Sequence, residues 1–188
     1  MLIQILAFLL ETIFFLLIGA SLLRAWMNWT RIKMNAQPGS FVMALTDWLI
    51  KPLRRALPTV LSKSRVDWAS VLAAALLALG YALLSVALFG VLMGGLTRAS
   101  MAPFEVLSLL LLALKTLVRV ALQTTMILVI GFAILSWVQP GSPAYSLMGR
   151  LTEPLLAPLR RVIPSIGGVD LSALVLILIL QIGLMLLG

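Results

Sequence analysis

The chain contains no histidine and no cysteine. Without them it lacks the ordinary zinc-ligand sets, disulfides, thiol nucleophiles, thioether attachment of haem and the usual axial haem ligands. Charge is also scarce, at 11% of 188 residues, with six acidic side chains against fourteen basic ones. Hydrophobic residues make up 62% of the chain and the mean hydropathy is +1.16, well outside the range of a soluble globular domain. Such a composition places the chain in lipid. The net charge of +8 is confined to short stretches between apolar runs, which is the pattern of a membrane protein and not of a nucleic-acid partner. Nine methionines are scattered among Leu and Ile, so they read as packing rather than soft-metal ligands. No Lys or Arg precedes the first apolar run and no small-residue cleavage site follows it, so that run is expected to be a retained helix.

Four segments are long and apolar enough to cross about 30 Å of hydrocarbon: Ile3 to Ala25, Ala69 to Leu92, Leu117 to Val138 and Leu171 to Leu187. The third is preceded by a helical-looking stretch, 104–116, expected at the interface or as part of a tilted helix. Loop charge sets the orientation. Arg24, Arg31, Lys33, Lys51, Arg54, Arg55, Lys63 and Arg65 surround the first loop, and Arg150, Arg160 and Arg161 the third. Only Arg98, Lys115 and Arg119 lie about the second. That bias places the first and third loops in the cytoplasm and both termini outside.

An internal repeat organises the chain. TDWLIKPLRRALP at Thr46 to Pro58 aligns without a gap on TEPLLAPLRRVIP at Thr152 to Pro164. The tetrapeptide QPGS recurs at Gln37 to Ser40 and Gln139 to Ser142, and Asp67 and Asp170 each open the next apolar helix. The expected fold is therefore an all-α integral membrane protein, with four transmembrane helices arranged as two parallel two-span repeats, 1–96 and 97–188. Each repeat carries a short basic amphipathic or re-entrant helix at the cytoplasmic face, over 46–58 and 152–164. Pro52 and Pro158 suit the start of a short helical insert, and Pro58 and Pro164 its end.

These residues resemble the YggT/YlmG family of small membrane proteins over nearly the whole chain. The motifs that carry the resemblance are LLRAWMNW at Leu22 to Trp29, PLRRALP, LLALKTL at Leu111 to Leu117, ILSWV at Ile134 to Val138 and TEPLLAPLRRVIPSIGGVDLS at Thr152 to Ser172. Trp48 stands where the family pattern has Pro, as at Pro154. The resemblance implies roles in osmotic or ion homeostasis in bacteria, in cytochrome assembly, or in cell and organelle division, and it does not imply an enzyme.

Three constellations carry candidate chemistry. Arg54, Arg55, Arg160 and Arg161 form two arginine pairs suited to lipid phosphate, because a guanidinium can bind phosphate with two parallel hydrogen bonds. They act either as topology anchors or as a docking face for anionic headgroups or a protein partner. Asp67 and Asp170 are expected as helix caps, with pairing to the repeat's own arginines as the alternative. Glu11 lies about halfway along the first span, where a carboxylate is expensive. Its expected partner is Arg119 or Lys115 on the third span, and a proton or cation site is the competing reading. On the second span, Ser70, Ala74, Ala78 and Ala82 repeat every four residues, followed by Gly90 and Gly94, as a close-packing ladder within the chain or between copies. Trp26, Trp29, Trp68, Trp137 and Tyr145 read as interface anchors.

No metal-ligand set, catalytic residue or cofactor site is expected. The preferred function is a non-catalytic bacterial inner-membrane factor, a scaffold or assembly and homeostasis protein linked to osmotic or envelope stress. Anionic lipids are its expected contacts, and membrane-protein partners or further copies of the chain are its candidate partners. The alternative is a small ion channel or transporter subunit acting as an oligomer.

Overall fold

A computed structural model describes residues 1–32, 39–57, 66–92, 103–163 and 170–188. The described residues are all-helical, with six helices and no strand: α1 (Leu2–Trp29), α2 (Gly39–Ala56), α3 (Trp68–Leu92), α4 (Pro103–Val138), α5 (Pro143–Arg160) and α6 (Leu171–Leu187). Three of them, α1, α3 and α4, are long and apolar enough to cross a membrane. The fourth expected span, α6, is equally apolar but has 17 residues, about 25 Å of helix. Large side chains such as Phe8, Leu16, Leu178 and Ile182 are more than half exposed along these helices. Water would penalise such surfaces, and lipid does not.

The stretch 104–116 and the span after it form one continuous helix. α4 runs for 36 residues, about 54 Å, well beyond the hydrocarbon thickness. The chain divides into two compact units, Met1–Val120 and Ala121–Gly188, with the division inside α4.

In the first unit α1 packs chiefly on α3. The ladder Ser70, Ala74, Ala78 and Ala82 is fully buried, and its alanines join Ile18, Ala113 and Val120 in one cluster. The small side chains thus serve contact within the chain, as van der Waals packing in lipid demands. Gly94, further along the same pattern, lies outside the described residues. At the end of α1 the chain reverses at Arg31, whose φ of 55° is left-handed. The Arg31 N–H donates to the Asn28 carbonyl, and the Ile32 N–H to that of Met27, satisfying the last turn as a glycine terminator would.

The basic segments are longer than their prolines suggest. α2 and α5 are 18 residues each, and Pro52, Pro154 and Pro158 lie inside them rather than at a first turn. An interior proline costs roughly 3 kcal/mol. Burial offsets it, since Val42, Thr46 and Ile50 form an i, i+4, i+8 stripe on the buried face of α2. Met148, Thr152 and Leu156 repeat the spacing in α5, with Thr152 and Leu156 fully buried. Thr46 and Thr152 each donate their hydroxyl to a carbonyl four residues back, on Val42 and Met148. At the start of α5 the second QPGS explains itself: Gly141 takes φ of 90°, Ser142 caps the Tyr145 N–H and Pro143 opens the helix. Gln37 and Pro38 of the first copy lie outside the described residues, as do Pro58, Pro164, Lys33, Lys63, Arg65 and Arg98.

In the second unit Val129, Phe132, Leu156, Ala173, Leu176 and Leu180 form the core among α4, α5 and α6. Tyr145, expected as an interface anchor, stacks on Phe132 at 5.3 Å. Trp29, Trp68 and Trp137 are exposed, as interface anchoring requires.

Candidate functional site: arginine clamps at two amphipathic helices

Each basic helix is fastened to the apolar helix that follows it by the first arginine of its Arg-Arg pair. In the first unit Arg54 Nη2 lies 2.7 Å from Asp67 Oδ2, and Ser70 Oγ donates to the same oxygen at 2.9 Å. In the second unit Arg160 reaches Asp170 Oδ2 through Nη2 at 2.6 Å and Nε at 2.9 Å. It also bonds Glu153 Oε2 at 2.7 Å, and its guanidinium sits 5.7 Å from the Phe132 ring centroid. Asp170 caps α6 by accepting from the Ser172 N–H and hydroxyl. The two readings of the aspartates are therefore both realised at Asp170, while Asp67 is buried between Arg54 and Ser70.

The second arginines behave differently. Arg55 and Arg161 are exposed, and neither forms an ion pair among the described residues. Successive helical residues point about 100° apart, so turning Arg54 to its aspartate directs Arg55 away from it.

A further clamp escapes the sequence pattern. Arg24, at the end of α1 and only 5% exposed, donates through Nη1 to Asp47 Oδ1 at 2.7 Å and Thr46 Oγ1 at 2.9 Å. Lys51 Nζ meets the other Asp47 oxygen at 2.8 Å. The only signal for it was an acid four residues before Lys51, the helical spacing of an ion pair. Arg24 read as a loop charge because its partner lies 23 positions away.

The carboxylates register these contacts. Hydrogen bonds from Lys51 and then Arg24 hold Asp47 below its ordinary carboxylate range. Burial pulls Asp170 upward, but the Ser172 and Arg160 hydrogen bonds outweigh it and the net direction is down. A carboxylate that ionises at lower pH folded than unfolded stabilises fully above its unfolded value, and that stability fades as pH falls through the folded value. Thermal unfolding in detergent should thus be flat near neutral pH and decline below about pH 4. Asp47→Asn and Asp170→Asn should be weaker at neutral pH with a shallower acid decline. An acid slope unchanged in both would remove these two groups from the account.

Glu11 is exposed on α1, Lys115 is exposed on α4 and Arg119 is partly buried. Tyr81 on α3, in ring contact with Phe14 at 5.7 Å, lies within electrostatic reach of both Glu11 and Arg119. A pocket of about 260 Å³ between α3 and α4 is lined by Ala75, Ala78, Leu79, Leu110, Ala113 and Leu117 among other apolar side chains. It holds no group that could do chemistry. No three potential metal ligands cluster among the described residues.

The CCB3/YggT family profile matches residues 3–89 and 111–188. An uncharacterized protein from the proC 3′ region of Vibrio alginolyticus is 38% identical over 183 residues, 97% of this chain and 92% of that one. The uncharacterized protein YggT of Escherichia coli K12 is 33% identical over 178 residues, covering 94% and 86%. An uncharacterized protein of Haemophilus influenzae is 32% identical over 161 residues, covering 85% and 78%. No solved structure matches the chain.

Proposed function

The chain belongs to the CCB3/YggT family, and from that premise we propose that it is a non-catalytic scaffold of the bacterial inner membrane. In this reading it supports envelope or osmotic homeostasis through two basic helices at the cytoplasmic face. All four apolar helices span the membrane, α6 as the shortest, and both termini are periplasmic. The two stretches matched by one family profile and the recurrence of the Arg–Asp clamp at Arg54–Asp67 and Arg160–Asp170 support treating the chain as two parallel two-span repeats.

The observation that carries the function is the division of labour within each arginine pair. One arginine fixes the amphipathic helix against a span, and its neighbour is left exposed. A basic amphipathic helix pinned in this way presents its free guanidinium at headgroup level, where each such charge is worth about 1 kcal/mol toward an anionic surface. Arg55 and Arg161 are thus the lipid-facing pair, and Arg54 and Arg160 the structural one.

The test is the double variant Arg55→Gln/Arg161→Gln. It should unfold as the natural protein does, yet retain less phosphatidylglycerol on extraction and fail to support growth after a hyperosmotic shift in a strain lacking the natural protein. Undiminished lipid retention and growth would reduce these residues to topology signals. Ion flux in proteoliposomes that the natural protein supports and a Glu11→Gln variant loses would favour the channel reading instead.

A further inference from the structure

The face of α2 opposite its buried stripe is not simply polar. Phe41 and Trp48, two helical turns apart, are 63% and 60% exposed, and Ala44, Lys51 and Arg55 are exposed as well. At 3.6 residues per turn these five side chains fall within an arc of about 80°, with Val42, Thr46 and Ile50 on the far side. The arc carries two open aromatic rings toward its start, two cations toward its end and no acid. A contiguous patch of this kind marks a contact with lipid or with another protein.

Depth decides between lipid and water. Arg24, which holds Thr46 and Asp47, stands five residues before the end of α1 at Trp29. Ile50 clusters with Ala69 and Ala73, which lie one turn apart on one face of α3, just after its start at Trp68. At 1.5 Å per residue both contacts fall within about 8 Å of the ends of the two apolar helices. An amphipathic helix in the interface is buried to a similar depth, about 5–10 Å into the headgroup and acyl boundary. α2 therefore lies against the flanks of α1 and α3, and its outer face points sideways at that level rather than out along the bundle. The Trp48 indole N–H already donates to the Leu45 carbonyl at 2.8 Å, so the ring can enter an apolar layer without stranding a donor.

We propose that α2 is an interfacial helix whose outer face is embedded in the membrane, with Phe41 and Trp48 in the upper acyl region and Lys51 and Arg55 reaching back to anionic headgroups. The long stems of the two cations allow that return. The proposal rests on the reading above that α1 and α3 cross the membrane and deepens it, since it assigns the aromatic side chains of the first unit a lipid contact of their own.

The chain has no cysteine, so a single nitroxide can be placed cleanly. Ala44→Cys carries it between the two rings and keeps both, and Phe41→Cys and Trp48→Cys place it at the ring positions. In vesicles of phosphatidylethanolamine and phosphatidylglycerol, each label should collide with dissolved oxygen several-fold more often than with a water-soluble nickel chelate. Collisions dominated by the nickel chelate would put the face in water, and a label that neither reagent reaches would put it under protein; either result overturns the proposal. If the ring variants fail to fold, Ala44→Cys alone decides. The arginine reading is separated by its own variant. Labels in water, with phosphatidylglycerol still lost by Arg55→Gln/Arg161→Gln, would remove the embedded face alone, whereas labels in lipid with undiminished phosphatidylglycerol would keep it and remove the arginine reading.

Discussion

Replacing Asp47 by alanine should destabilise the first unit by about 3–5 kcal/mol, the loss expected when a buried ion pair is broken from one side. Arg24 is 5% exposed and donates to Asp47 and Thr46. Once Asp47 is gone the guanidinium keeps, among the described residues, only a hydroxyl that already donates to the Val42 carbonyl. The reverse substitution is milder. In Arg24→Met the chain fills a similar volume without charge, and Asp47 keeps Lys51 and partial access to solvent, so the loss should be about 1 kcal/mol. Combining the two changes should recover most of what Asp47→Ala loses, because no buried charge is then left alone. Unfolding of the reconstituted protein, followed by the fluorescence of Trp26 and Trp29, would measure all three. Equal losses from the two single variants would show that Arg24 is not held in a dry site.

The apolar helices were the legible part of this chain. Expected spans at Ala69 to Leu92 and Leu171 to Leu187 meet helices at Trp68–Leu92 and Leu171–Leu187, because hydrocarbon thickness sets both run length and helix length. The amphipathic helices were read too short. Pro52 and Pro158 carry a strong local signal, whereas the stripe through Val42, Thr46 and Ile50 that overrides it depends on contacts with other helices. The site was legible at one end only. The pattern placed Arg54, Arg55, Arg160 and Arg161 together with Asp67 and Asp170, but it could not say which arginine of each pair meets its aspartate. That choice follows from the face each helix buries, which the sequence leaves open until the neighbours are in place. Arg24 shows the same limit, since nothing local distinguishes a topology charge from a buried clamp.

The two arginine clamps should respond unequally, in the order opposite to their bond counts. Arg160 makes more contacts, binding Glu153 and Asp170 and lying over Phe132. Its side chain and those of both carboxylates are nonetheless between 31% and 54% exposed, so solvent can replace what a substitution removes. Asp170 also keeps its Ser172 contacts. Arg160→Leu should therefore cost about 1 kcal/mol, as exposed pairs do. Arg54 makes a single ion pair among the described residues, but the Asp67 side chain at the other end is only 5% exposed. Arg54→Leu leaves that carboxylate buried with Ser70 Oγ as its side-chain partner, and desolvation without a counter-charge should cost about 3 kcal/mol. Asp67→Asn in the Arg54→Leu background should return much of the loss, because a neutral amide keeps the hydrogen bond to Ser70 without stranding a charge. The same rescue at Asp170 in Arg160→Leu should return little. Denaturation of the four variants in one lipid composition would rank them. A larger loss at Arg160 than at Arg54 would mean that the number of contacts, and not the burial of the acid, sets the strength of these clamps.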